Sequence, residues 1–217
     1  MIELLINTMT WMYLTVAIIG LVLFKKLTLT FKFVLAIQIY ILFHEQYLSS
    51  FATTIHDSQF FVHLYCVIMA ILFFGIYSTL IKSSAQLRPI QVFSGFSLVA
   101  IILNTIFLQD MYTMPTIGIN ILQLLVIFNA CMLFMYLLDK PNSIPMIRDA
   151  VFWFNTSTFI YYATSYFIFT IPYFLISNQI SVNTTGSINV FLCWLYYPII
   201  GYSFYLNANR AKYETSN

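Results

Sequence analysis

Apolar residues run in blocks along this chain, and polar residues collect in the short gaps between them. The blocks are about 20 residues long, the length a helix needs to cross ~30 Å of hydrocarbon. Seven can be drawn, at 4–24, 31–51, 60–81, 91–108, 117–138, 150–174 and 187–207. The links run from Lys25 to Thr30, Ala52 to Gln59, Lys82 to Ile90, Gln109 to Thr116, Asp139 to Asp149 and Leu175 to Gly186, and a polar tail begins near Asn207. The pattern predicts an all-α polytopic membrane protein. Its 217 residues form a single seven-helix transmembrane domain, with no segment polar enough for a soluble one.

Composition agrees. The chain is 61% hydrophobic and 7% charged, with a mean hydropathy of +0.87, whereas a soluble domain carries about 25% charged residues. The net charge of +2 is scattered, which gives no surface for nucleic acid. The first apolar run has no positive region before it and is followed by Lys25-Lys26, so it is expected to stay as a helix. Cys66, Cys131 and Cys193 each lie within an apolar run. An odd number at that depth argues against disulfides and for small apolar fillers.

Charge then orients the chain. All nine basic residues fall on one side of the seven-span arrangement: Lys25, Lys26, Lys32, Lys82, Arg88, Lys140, Arg148, Arg210 and Lys212. The other side carries Glu3, Asp57 and Asp110. Cytoplasmic loops hold the excess of Lys and Arg, so the expectation is an N-terminus outside and a C-terminus in the cytoplasm, in a cell membrane, a bacterial inner membrane above all.

Candidate chemistry concentrates between Gln38 and Cys66, the stretch with all three histidines, His44, His56 and His63. Glu45 lies about six residues inside the outer end of the second span, so ~9 Å deep at ~1.5 Å per residue. His63 sits one turn into the third span from the same side, with His56 and Asp57 in the turn between. At the same level come Asn7, Thr10, Asn104, Thr105 and Asn189, with Asn120 and Gln123 spaced i,i+3 on one helix face. Gln38 is two turns deeper than Glu45. The inner half is poorer, its main cluster being Asn155-Thr156-Ser157-Thr158.

This asymmetry suggests a polar pocket open to the outside, with Gln38, His44, Glu45, His63, Asn104, Asn120 and Gln123 as candidate ligand-binding residues. An ionisable group inside a membrane is a functional-site hypothesis by default. The competing reading is an ion pair or hydrogen bond that holds spans two and three together. Imidazole with carboxylate also suits zinc, which makes His44, Glu45 and His63 a minor metal alternative, although their spacing matches no metal motif. Histidines near the outside could instead sense pH.

Other features exclude more than they assign. The last span has no lysine, so no retinal Schiff base can form there. No HExxH, aspartate pair or serine–histidine arrangement is present, and neither an enzyme nor a cofactor is expected. Tyr197-Pro198 reads as a kink packed with aromatics, and the aromatic density of Phe152 to Phe169 as packing surface. Asn183-Thr184-Thr185 is a glycosylation sequon.

Two segments carry a resemblance. Phe61-Val62-His63-Leu64-Tyr65 with the run to Tyr77, and the aromatic pattern of Phe152 to Phe169, resemble the third and sixth helices of small seven-helix membrane proteins of the Bacteroidetes. That family is often found beside histidine-kinase signalling proteins. Its third helix commonly has an acid after the histidine–tyrosine pair, where this chain has Cys66-Val67-Ile68-Met69. The resemblance implies a sensory or signalling-associated protein. Its loops are too short for an output domain, so output would need a partner, in the membrane or in the cytoplasm. Two alternatives stand beside this receptor-like reading. One is a non-catalytic subunit of a larger membrane complex. The other is a small-solute transporter of three-plus-one-plus-three type, for which the proline–glutamine motif is absent.

Overall fold

A computed structural model describes the backbone over residues 2–51, 55–139, 145–177 and 183–210, and side chains over 9–46, 59–139, 145–168, 170 and 188–210. Seven long helices account for nearly all of the described chain, and no strand occurs among the described residues. They are α1 (Ile2–Leu23), α2 (Leu29–Phe51), α3 (Ile55–Leu80), α4 (Ser84–Leu103), α5 (Thr116–Asp139), α6 (Ala150–Ser177) and α7 (Asn183–Ala208).

The helix count matches the seven apolar blocks, and three boundaries move. His56 and Asp57 belong to the first turn of α3 rather than to a connecting turn. Residues 84–89 are the start of α4, not a link. Pro89 lies in the second turn, where it removes one i→i−4 backbone bond. The sequon opens α7 instead of lying in a loop. At the far end of α4 the helix widens into a π turn, Asn104–Leu108.

Neighbouring helices pack in chain order, and α7 closes the bundle against α1. Along α3, Cys66, Met69, Phe73, Ile76 and Tyr77 are fully buried. Beside it Phe31 of α2 packs edge-on against Phe154 of α6 and Phe204 of α7, with ring centroids 6.2 and 6.1 Å away. Large apolar side chains such as Val92, Phe96 and Phe107 point outward from α4 and its π turn. Four helices, α1, α3, α4 and α5, are long and apolar enough to cross a membrane. This holds for the described residues, and α2, α6 and α7 each include residues outside them.

Two glycines separate the tight parts of the bundle from the open ones. A Cβ on Gly20 would come within 2.5 Å of Leu35 Cδ1 and 3.2 Å of Phe204, so this residue lets α1 approach α2 and α7. A Cβ on Gly95 would meet nothing within 4 Å. Replacing Gly95 by Ala is therefore expected to stabilise α4 by about 0.5–1 kcal/mol through backbone entropy, while Gly20→Ala lowers stability. Thermal unfolding of both variants in one detergent checks the opposite signs.

Candidate functional site

Three elements converge on the far half of α2, away from the basic end. Glu45 itself is accessible, yet its carboxylate is close enough for its charge to act on Tyr13 of α1, Tyr65 of α3 and Cys193 of α7. Tyr13 and Cys193 are both buried. Glu45 thus stands at an opening between helices with its acid group turned toward the interior. His44, one position earlier, is buried against the Tyr65 ring at 4.7 Å and interacts with the backbone at Phe61, tying α2 to α3. Its Nε2 has no partner.

Two turns deeper lies Gln38, 1% exposed. The Tyr196 hydroxyl is next to it and to Thr158. It is within hydrogen-bond reach of both, although the alignment at the Gln38 amide and at the Thr158 hydroxyl is poor. Buried polar groups in proteins are almost always satisfied, by protein or by something bound. A poorly aligned bond in a dry interior leaves part of the cost of an unmade one, which is on the order of 1–3 kcal/mol. Water or a ligand in contact with Gln38 would remove that cost.

Between Glu45 and Gln38 the walls are tyrosine. Tyr13 meets Tyr197 edge-on at 4.5 Å, Tyr196 meets Tyr197 at 5.0 Å, and Tyr161 stacks on Tyr196 at 4.7 Å. The Cys193 thiol donates to the Tyr161 hydroxyl over 3.9 Å, and the Tyr162 hydroxyl lies beside that of Tyr65. Tyr40 stacks on Tyr65 at 5.8 Å. The result is a cluster of phenol groups contributed by five helices, with the Glu45 carboxylate and the Gln38 amide both beside it. Every described Lys and Arg lies in or beside a link at the opposite end of the bundle.

The single pocket expected from the sequence divides in two. His63 does not join Glu45. It is 3% exposed, its Nε2 donates to the Thr113 carbonyl at 3.1 Å, and its Nδ1 is hydrogen-bonded with the Thr105 hydroxyl at 2.9 Å. Asn104 belongs to the same knot: its Nδ2 donates to Gln109 Oε1 at 2.9 Å, and Gln109 Nε2 donates to Thr116 Oγ1 at 3.0 Å. These bonds fasten the α4–α5 link to α3. Asn120 accepts from Thr170 at 3.4 Å, and Gln123 is buried with its Oε1 unpartnered. Both sit on α5, which packs against α3, α4 and α6, whereas Glu45 acts on residues of α1, α3 and α7. Gln38, His44 and Glu45 remain together.

The zinc alternative fails on the same geometry. With both His63 nitrogens used, His44, Glu45 and His63 cannot share an ion. Among the described residues no three of His, Cys, Asp and Glu are gathered for one. The side chains of Asn7, His56 and Asp57 lie outside the described residues.

Sequence reasoning missed the tyrosines. The doublets Tyr161-Tyr162 and Tyr196-Tyr197 fall mid-helix in α6 and α7, where a phenol hydroxyl has to find a partner. That placement was the available signal. Asn155, read as part of a polar inner cluster, is instead a fully buried cross-link. It accepts from the Tyr77 hydroxyl at 3.1 Å and donates to the Ala130 carbonyl at 3.0 Å.

No protein-family model matches the chain, and no curated protein or solved structure is matched by it.

Proposed function

We propose that this is a seven-span cell-membrane protein, N-terminus outside, of receptor or sensor type, which binds a small organic solute in the tyrosine-lined interior. The observation that carries the reading is the cluster of buried phenols from five helices around the Gln38 amide and the Glu45 carboxylate. A pocket of aromatic walls with few polar groups is the usual design for small-molecule recognition. An uncompensated carboxylate beside aromatic rings favours a solute with an amine or another cationic end. The short links hold no output domain, so a signal would pass to a membrane or cytoplasmic partner. The resemblance to signalling-associated seven-helix proteins supports the same assignment, and the one-sided distribution of Lys and Arg supports the orientation.

The test is native mass spectrometry of the protein purified mildly from its own membrane. A small molecule carried by the lone chain is the expected result, with loss of that mass in both Gln38→Leu and Glu45→Gln. Loss of about one hydrogen bond to a charged or buried polar group corresponds to roughly 1.5–3 kcal/mol, or a 10- to 100-fold weaker complex. His63→Ala should leave binding intact and lower thermal stability alone. A stoichiometric protein complex without any small molecule would replace this reading with that of a complex subunit.

A further inference from the structure

The opposite end of the bundle holds a second site. A cavity of about 330 Å³ opens where the links α1–α2, α3–α4 and α5–α6 meet the end of α7. Ligand pockets range over about 300–1,000 Å³, so this one suits a compact group. Three cations from three separate elements line it: Lys82 after α3, Arg148 before α6 and Arg210 after α7. All three are exposed.

Asp149 is the one carboxylate among the lining residues, and its Oδ1 is committed to the first turn of α6, where it accepts from the Val151 N–H at 2.8 Å. The floor is knit by its own bonds. The Thr28 N–H donates to Asn207 Oδ1 at 3.0 Å, and the Thr30 and Thr79 hydroxyls lie 2.9 Å apart. Tyr136, Arg148, Asp149 and Arg210 each also have interactions of their own. A recess that combines apolar walls with the hydroxyls of Thr28, Thr30, Thr79 and Tyr136, and three cations against one carboxylate, matches an anion with several acceptor oxygens. Guanidinium groups favour phosphate, which they can grip with two parallel bonds.

We propose that this cavity binds a phosphate-bearing anion. Two sources share that chemistry: the headgroup of an acidic phospholipid in the adjoining leaflet, and a soluble phosphate. The site is separate from the tyrosine interior and stands whether or not that interior binds a solute.

The experiment uses the full chain in two arms. In one, native mass spectrometry follows phosphatidylglycerol retained from mixed phosphatidylcholine–phosphatidylglycerol nanodiscs. In the other, calorimetry follows inorganic phosphate added to protein in phosphatidylcholine nanodiscs. Retention in the first arm alone assigns the lipid headgroup, and binding in the second assigns a soluble anion.

The triple variant Lys82→Gln/Arg148→Gln/Arg210→Gln is compared with Lys25→Gln/Lys26→Gln/Lys32→Gln, which removes the same charge outside the cavity. Binding should weaken at least about tenfold in the first and no more than about twofold in the second. If the first triple does not fold, Lys82→Gln alone, at an exposed position, should still weaken binding several-fold. Equal losses in both triples, or no binding in either arm, would overturn the assignment and leave only a generic basic membrane face.

Discussion

Phe31→Ala is expected to destabilise the bundle by about 3–5 kcal/mol, the range for truncating a fully buried phenylalanine. Phe31 is 1% exposed near the start of α2, and its ring is the common partner of Phe154 and Phe204. It therefore joins three helices that are far apart in the chain. Removing it leaves a cavity that none of the three can fill without losing its other contacts, since Phe154 and Phe204 are themselves buried at 1% and 0%. The two edge-to-face pairs add about 0.5–1.5 kcal/mol each beyond area. Phe31→Leu should recover more than half of the loss. The measurement is reversible unfolding in mixed micelles, and a loss below 1 kcal/mol would mean that α2 does not dock where the structure has it.

Asn155→Ala comes next, with an expected cost of about 2–4 kcal/mol. The amide is fully buried and bonded at both ends, to Tyr77 of α3 and to the Ala130 carbonyl of α5. Truncation leaves the Tyr77 hydroxyl and a backbone carbonyl without partners in a dry core, and each orphan costs on the order of 1–3 kcal/mol. Interhelical hydrogen bonds measured in membranes are worth about 0.6–1.7 kcal/mol, so Tyr77→Phe, which spares the Ala130 bond, should cost about 1 kcal/mol. A double-mutant cycle on Tyr77 and Asn155 should return a coupling near that value. A cycle that sums to zero would show that the two side chains do not meet.

These residues show what is legible in a membrane-like sequence and what is not. Hydropathy and charge are local properties. They locate α5 and α6 almost to the residue and put Lys82, Arg148 and Arg210 at one end before any packing is known. The inward face of each helix is another matter. In a soluble protein the apolar stripe marks it. Here α3 is apolar on every side, because lipid and core ask for the same residues, and nothing in its pattern separates the buried Met69 and Phe73 from the exposed Leu64 and Ile71. His63 and Glu45 therefore look like neighbours across a hairpin. Packing turns His63 toward Thr105 and the α4–α5 link, and Glu45 toward residues of α1, α3 and α7.

The stretch from Gln38 to Cys66 does hold part of the candidate site, since Gln38, His44 and Glu45 stay together and Tyr65 joins them. Its other walls, Tyr13, Tyr161, Tyr196 and Tyr197, come from the two ends of the chain. By itself the sequence determined the helix number and the basic end, each set by free energies that depend on composition over one segment. Only the tertiary structure decided which polar groups meet. A hydrogen bond depends on which faces of five helices turn toward one another, and that choice belongs to the whole bundle.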